Sequence, residues 1–240
     1  MITSALKPTE LMITRHGEAW CNREQVVGGP HGCRGLTDTG RDQVHRLAAR
    51  LRSEHHDRPI DAVYTSPLRR VRESAAIVAD AWGIDAAVEP DLREADYGDA
   101  DGRPWSEVVT AFGGIPANEP DRPIAAGAET WTQYLLRSIA ALRTILDRHS
   151  GQRVLIVGHG ETVTTAAHLL LDLPAMTRAR AAFAAHPASI TVWQQQPLAW
   201  TQPDAGWRWT LVRHNDTSHM TRSQGRSRGP LSVSMSAPYQ

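Results

Sequence analysis

The sequence predicts an α/β fold in three layers, with helices on both faces of a mostly parallel central sheet. Short apolar runs alternate along the chain with segments whose apolar residues recur every three or four positions, a pattern typical of strands alternating with amphipathic helices. With 240 residues, 41% of them hydrophobic, the chain can bury a sizeable core. We expect one catalytic domain over residues 1–220. The tail over 221–240 has no periodicity and is predicted to be disordered.

The first half of the chain contains two predicted strands, each followed by a helix. The first strand covers residues 11–14, and the helix after it begins at Thr37, a residue type that caps helix N-termini. The second strand covers residues 62–64. Its helix, over 68–82, closes at Gly83, because glycine readily adopts the left-handed conformation of a helix C-cap.

The second half begins with an irregular segment over residues 90–127, rich in Gly, Pro and Asp, which we expect to lie above the sheet. A long helix starts at Trp131 and ends near Gly151. The clearest buried strand covers 154–157, and Gly158-His159-Gly160 opens the next helix. Two late strands complete the predicted sheet, over residues 189–193 and 207–212.

The charge composition argues against several classes of protein. Lys+Arg and Asp+Glu both number 26, so the sequence predicts neither a nucleic-acid binder with a basic footprint nor a polybasic membrane-surface protein. Lys7 is the only lysine and precedes Pro8, so the Gly-Lys pair of a P-loop is absent. Arginine supplies the remaining positive charge, and its fork suits phosphate or carboxylate.

We expect a cytoplasmic protein without a metal or cofactor. No stretch approaches eighteen apolar residues, and the N-terminal segment lacks the apolar run of a secretory signal. The two cysteines, Cys21 and Cys33, are predicted to be reduced thiols. No Cys/His cluster with metal-ligand spacing is present in the sequence.

Polar residues follow three of the predicted strands. Arg15 and His16 follow the first, Ser66 with Arg70 follows the second, and His159 follows the buried strand. Each alone is typical of a surface or capping residue. Because ligands of open α/β sheets bind beyond the carboxyl ends of the strands, the conjunction predicts an anion site with a nucleophile.

These residues belong to motifs that resemble those of the histidine phosphatase superfamily, which includes phosphoglycerate mutases and phosphomonoesterases. The resemblance runs from about residue 10 to 220, in order. The matching segments are Arg15-His16-Gly17-Glu18 with Asn22, Gly35-Leu36-Thr37-Asp38-Thr39-Gly40, Ser66-Pro67-Leu68-Arg69-Arg70, Leu92-Arg93-Glu94 with Tyr97-Gly98, Gly127-Ala128-Glu129-Thr130, Val157-Gly158-His159-Gly160 and Asn215-Asp216-Thr217-Ser218-His219.

The resemblance implies a phosphoglycerate mutase-like fold and a reaction through phosphohistidine. His16 is the implied nucleophile, and Arg15, Arg70 and His159 form the implied phosphate pocket, in which His159 must be protonated or donate a hydrogen bond. The implied general acid is Glu94, whose pKa we expect burial or bound phosphate to raise. The implied substrate-binding residues are Arg15, Asn22, Arg70, His159 and Gly160.

Some positions depart from the family pattern. Cys21 stands where a tryptophan is common before the asparagine, which weakens the assignment of Asn22. The segment 27–34 differs from the sequence that more commonly precedes the Leu-Thr motif in the family. It either lines the substrate pocket, with His31 near the substrate, or is an ordinary surface turn. His186 is a further candidate to face the site.

We expect a phosphatase that acts on a small phosphorylated metabolite, with no nucleic-acid or membrane partner; a homodimer is left open. A phosphoglycerate mutase is the alternative within the family. Mutases carry a longer, more basic excursion, whereas residues 99–127 contain only Arg103 and Arg122 as positive charges. A protein that binds a phosphorylated ligand without turnover is the third reading, and the complete set of site residues counts against it.

Overall fold

The structure is a computed structural model that describes residues 7–220, apart from residues 55, 57 and 200. The tail over 221–240, for which we predict disorder, lies outside the described residues. No helix in the described part of the chain is long and apolar enough to cross a membrane.

A six-stranded sheet forms the middle layer, with the spatial order β3-β2-β4-β1-β5-β6. Its first four strands are parallel to one another, while β5 and β6 form an antiparallel hairpin at one edge. The predicted mostly parallel sheet is therefore confirmed. The strands are β1 (Glu10–Arg15), β2 (Ala62–Thr65), β3 (Ala86–Val88), β4 (Arg153–Gly158), β5 (Ile190–Ala199) and β6 (Gln202–Asp216).

Helices cover both faces of the sheet, as the alternation of side chains along the buried strands requires. On β4, Leu155 and Val157 pack with helices α2 and α3, defined below, whereas Val154 and Ile156 pack with α5 and α6. The three-layer prediction is confirmed. The helices are α1 (Trp20–Glu24), α2 (Asp38–Glu54), α3 (Arg69–Trp82), α4 (Trp105–Phe112), α5 (Trp131–Arg148) and α6 (Gly160–Leu171).

The helix boundaries predicted from capping residues are confirmed at two places. The Thr37 hydroxyl accepts a hydrogen bond from the Gly40 N–H at 3.0 Å, which satisfies a free donor at the start of α2. Gly83 ends α3 with φ of 67°, in the left-handed region.

The segment 90–127 is more regular than the sequence indicates. It contains helix α4 and short 3-10 turns at Pro90–Leu92, Gly98–Ala100 and Pro116–Asn118. Its buried Val108 belongs to a small apolar cluster separate from the two cores beside the sheet. A helix of eight residues has too few turns for its periodicity to be recognised in the sequence. The sequence pattern does not predict β3 either, because this strand has only three residues.

The strand order explains where the polar motifs meet. Because β4 lies between β1 and β2, the carboxyl ends of these three parallel strands are direct neighbours. The residues that follow them, His16, Ser66 and His159, therefore lie side by side at one edge of the sheet.

Candidate active site

His16 follows β1 and is buried, with 2% of its surface exposed. Its Nδ1 lies 2.6 Å from the carbonyl oxygen of Gly17. Since a carbonyl only accepts, Nδ1 carries the proton and Nε2 holds a lone pair. Position 17 requires glycine because a Cβ there would lie 2.3 Å from the Gly40 oxygen. The close approach of this loop to α2 thus requires glycine at position 17, and the Gly17 carbonyl fixes the His16 tautomer.

Arg70, in the first turn of α3, makes hydrogen bonds to the other site residues. Its Nε donates to His16 Nε2 at 3.0 Å and its Nη2 to His159 Nδ1 at 3.2 Å. Its Nη1 donates to the carbonyl of Gly28 at 2.5 Å. The guanidinium is buried, so its charge acts in a medium that screens it weakly.

His159 lies just before α6 and is fully buried. Its Nε2 lies 2.9 Å from the Ser66 hydroxyl. Because Arg70 can only donate to Nδ1, the His159 proton resides on Nε2 and points at Ser66. Burial, with the charge of Arg70, places the pKa of His159 well below its usual value. His159 is therefore neutral, with its Nδ1 lone pair toward Arg70. Its expected protonation or hydrogen-bond donation to a phosphoryl group stays a prediction.

The same causes keep His16 neutral. Burial is the largest, followed by the charges of Arg70 and Arg15, and together they lower its pKa well below the usual value. Arg15 is held by a 2.7 Å hydrogen bond from Nη1 to the Ala185 carbonyl. Its buried Nε has no hydrogen-bond partner among the described residues. A buried unpaired donor is costly, and at this position it suits an anionic ligand.

Glu94 follows the 3-10 turn at Pro90–Leu92. Burial, and then the nearby charge of Glu161, raise its pKa to about 7, against the opposing effect of Arg70 and Arg15. This agrees with the raised pKa expected of a general acid. Its Oε2 lies 3.5 Å from His159 Nδ1, and its buried Oε1 has no partner among the described residues.

Asn22 and Gly160 line the same cavity as His16, Arg70 and Glu94. The Asn22 Oδ1 accepts a hydrogen bond from the Ala19 N–H at 3.1 Å, so this side chain also holds the turn that begins α1. Gly160 is the first residue of α6, and the N-terminal end of a helix favours negative charge. Their part in substrate binding stays a prediction.

Three other residues raised by the sequence lie outside the cavity lining. His31 is exposed, and its backbone N–H donates to Asp101. His186 is also exposed, and its ring contacts the Asn215 amide at 2.7 Å. Arg69, the first of the two adjacent arginines of its motif, is exposed and pairs with Glu73.

The structure gives a role to Ser66, which the sequence places near the site, and adds residues that the sequence does not assign to it. Ser66 orients His159, and the carbonyls of Gly28 and Ala185 hold the two arginines. The Cys33 thiol accepts a hydrogen bond from the Arg70 N–H at 3.4 Å. Gly28 could have been found from the sequence, because it lies in the glycine-rich segment 27–34. Glycine is needed there because a Cβ would lie 2.7 Å from the Cys21 sulfur. A backbone carbonyl carries no sequence signal.

Beyond the catalytic cluster the cavity continues beneath α4. Its wall there is mainly aromatic and aliphatic, with charged side chains between. The apolar lining residues are Val26, Ala95, Tyr97, Trp105, Val108, Val109, Phe112, Pro116, Ile124, Trp131 and Tyr134. Within the described part of the chain, no group of three or more His, Cys, Asp or Glu residues could hold a metal ion.

Comparison with known proteins gives three kinds of match. The family model for the histidine phosphatase superfamily (branch 1) matches residues 11–205. Phosphoglycerate mutase-like protein 4 of Arabidopsis thaliana is 35% identical over 159 residues, covering 64% of this chain and 67% of that protein. Metal-independent phosphoserine phosphatase of the same plant is 33% identical, and the match covers 63% of this chain and 64% of that protein, less than two thirds of its length. The solved structure of Bacillus stearothermophilus YhfR is 28% identical, with a TM-score of 0.73 over 89% of this chain and 100% of that chain.

Proposed function

We propose that this chain, which belongs to the histidine phosphatase superfamily, hydrolyses a small phosphomonoester through a phosphohistidine on His16. The observation that carries the proposal is the His16 tautomer. Its Nδ1–H is held by the Gly17 carbonyl, so the Nε2 lone pair faces the cluster of Arg70, Arg15 and Glu94, where it accepts the Arg70 Nε–H. A neutral imidazole with a fixed lone pair is a competent nucleophile.

In the first step, the hydrogen bond from Arg70 Nε to His16 Nε2 passes to a phosphoryl oxygen. The freed lone pair of Nε2 attacks phosphorus, and the bond from phosphorus to the alcohol oxygen breaks. The unpaired Nε of Arg15 and the guanidinium of Arg70 supply donors for the phosphoryl oxygens, whose negative charge they stabilise. Glu94, protonated near neutral pH because of its raised pKa, gives its proton to the departing alkoxide.

In the second step, water attacks the phosphohistidine, and the carboxylate of Glu94 takes the proton of that water. Inorganic phosphate leaves, and His16 returns to its neutral form. A bound dianion also raises the pKa of His159. Once Arg70 Nη2 donates to the phosphoryl group instead, His159 Nδ1 can take up a proton and donate to a phosphoryl oxygen. No step of this scheme uses a metal ion.

Hydrolysis is favoured over phosphoryl transfer to phosphoglycerate by the charges of the segment 99–127. Its two arginines are each paired with a glutamate: Arg103 lies 3.4 Å from Glu107, and Arg122 lies 3.2 Å from Glu119. Each guanidinium of this segment already has a carboxylate beside it, with which the carboxylate of a phosphoglycerate would compete. This pairing supports hydrolysis, whereas the family membership is compatible with both reactions.

A direct assay separates hydrolysis from transfer. We expect the purified protein to release inorganic phosphate from p-nitrophenyl phosphate and from a panel of small phosphomonoesters, with no loss in EDTA. Interconversion of 3- and 2-phosphoglycerate that depends on 2,3-bisphosphoglycerate and outpaces phosphate release would establish a mutase instead. Binding of these esters without any turnover would establish a non-catalytic protein.

Glu94→Gln tests the general acid. We expect kcat/KM for an alkyl phosphate to fall about 10²-fold, and that for p-nitrophenyl phosphate to fall far less, because nitrophenolate leaves without protonation. In the unaltered protein, kcat/KM for the alkyl ester should decline as pH rises through about 7, where Glu94 loses its proton. Glu94→Gln should lack this decline.

Glu107→Gln is the matched control, since this exposed glutamate on α4 lies outside the cavity lining. The Glu107→Gln variant should keep the kcat/KM of the unaltered protein for both substrates, and also its decline in kcat/KM with rising pH. Equal losses for the two substrates in Glu94→Gln would remove Glu94 from the role of acid.

A further inference from the structure

The part of the cavity beyond the catalytic cluster lies between two small apolar clusters. One contains Val108 with Tyr97, Trp105 and Ile124, and the other contains Trp131 and Tyr134 with Ala95. Residues of both clusters line the cavity, and neither cluster is part of the cores beside the sheet. The wall next to the phosphate pocket is therefore built of apolar groups from two separate elements of the fold.

Two aromatic residues of this wall, Trp131 and Tyr134, direct their polar groups to protein partners. The indole N–H of Trp131 donates to the Ala175 carbonyl at 3.2 Å. The phenol of Tyr134 lies 3.5 Å from the Thr165 hydroxyl, and burial keeps its pKa well above the usual value. Tyr97 packs edge-on against Trp105, with ring centroids 5.5 Å apart. What this wall offers a ligand is mainly ring and aliphatic surface.

The charged side chains of the same region are compensated within the protein. Arg122 pairs with Glu119 and lies over the Phe112 ring at 3.9 Å. Arg178 lies over the Trp131 ring at 4.4 Å and within 4.0 Å of Glu161. A further lining glutamate, Glu129, is paired with Arg137 at 2.7 Å. A substrate carboxylate would therefore find the arginines of this part of the wall already paired with glutamates.

We propose that this half of the cavity selects phosphomonoesters of apolar alcohols, alkyl or aryl, over esters whose alcohol carries a carboxylate. The proposal rests on the phosphatase function and adds the substrate class to it. The phosphoryl group binds at His16, Arg15 and Arg70, while the alcohol part displaces water from the wall formed by Trp105, Val109 and their neighbours. Burial of each further methylene group then favours the bound state.

The test is a series of straight-chain alkyl phosphates from ethyl to octyl, whose leaving groups are nearly equal in basicity. We expect kcat/KM to rise about fourfold for each methylene that enters the cavity, the value that corresponds to its transfer from water. A second comparison uses two esters with the same number of carbon atoms, of which only one has a terminal carboxylate. Pentyl phosphate should be hydrolysed at least about tenfold faster than 5-phosphooxypentanoate.

Val109→Asp, on α4, should lower the octyl-to-ethyl ratio of kcat/KM at least about tenfold, because it places a carboxylate in the apolar wall. Val88→Asp is the matched control: Val88 is 49% exposed on β3, outside the cavity lining, and its variant should keep the ratio. The near-isosteric Val109→Thr should shift the ratio in the same direction and serves if the Asp variant does not fold.

The outcomes separate the two proposals. Phosphate release that is independent of chain length, or faster for the carboxylate ester, overturns the substrate class and leaves the phosphatase intact. An unchanged ratio in both Val109 variants also overturns it. Absence of phosphate release from every ester, p-nitrophenyl phosphate included, overturns the phosphatase itself.

Discussion

His16→Ala is expected to lower phosphate release from p-nitrophenyl phosphate by at least about 10⁴-fold, because it removes the atom that accepts the phosphoryl group. In the unaltered protein, rapid quenching during turnover should trap phosphate on His16. A phosphoramidate is labile to acid and stable to base, so the modification should survive only an alkaline quench. Mass spectrometry of the peptide that contains His16 would identify it.

The control for this variant is His186→Ala. His186 is exposed and lies outside the cavity lining, so its loss should leave phosphate release unchanged. The His16→Ala protein should still bind inorganic phosphate in calorimetry, since Arg15 and Arg70 remain, and this binding shows that it is folded. Substantial activity in a folded His16→Ala protein would refute the phosphohistidine mechanism.

Arg70→Lys is expected to reduce kcat/KM about 10³-fold. The guanidinium contacts His16, His159 and the Gly28 carbonyl with three different nitrogen atoms. A lysine ammonium keeps the positive charge, but it is a single point charge and cannot make these three hydrogen bonds at once. The loss should fall mainly on kcat, because the pattern of donors is needed most as charge develops on the phosphoryl oxygens.

Arg69→Lys is the control next to it in sequence, with the same change of residue. Its side chain is exposed and pairs with Glu73, and we expect its activity to equal that of the unaltered protein. A loss of similar size in both variants would indicate that the start of α3, rather than the Arg70 fork, is what the substitutions disturb. A small loss in Arg70→Lys alone would show that charge without geometry suffices.

The parts of the site that could be predicted from sequence are those encoded locally. His16 and His159 directly follow apolar runs, so their place at strand ends can be read from the pattern. Thr37 and Gly83 likewise mark helix ends through their own backbone and side-chain chemistry. The raised pKa of Glu94 could be anticipated only as a requirement of the acid role, and its main cause, burial, appears in the structure.

Features that depend on contacts between distant segments could not be predicted. The protonation state of His159 is one: Arg70 and Ser66 reach it from the segment after β2, and together with burial they make it neutral. The apolar wall is another, because Trp105 and Trp131 come from separate elements whose spacing in sequence does not reveal that they share a cavity.

The sequence by itself determined the alternation of strands and helices, the residues that end each strand and the family to which their motifs belong. Only the tertiary structure decided which strand ends are neighbours, which nitrogen of each histidine holds the proton and what the alcohol part of a substrate would touch. The physical reason is one of range. Backbone preferences and amphipathic periodicity act over a few residues, whereas burial, hydrogen-bond partners and the electrostatic field at a buried group are set by atoms far apart in the chain.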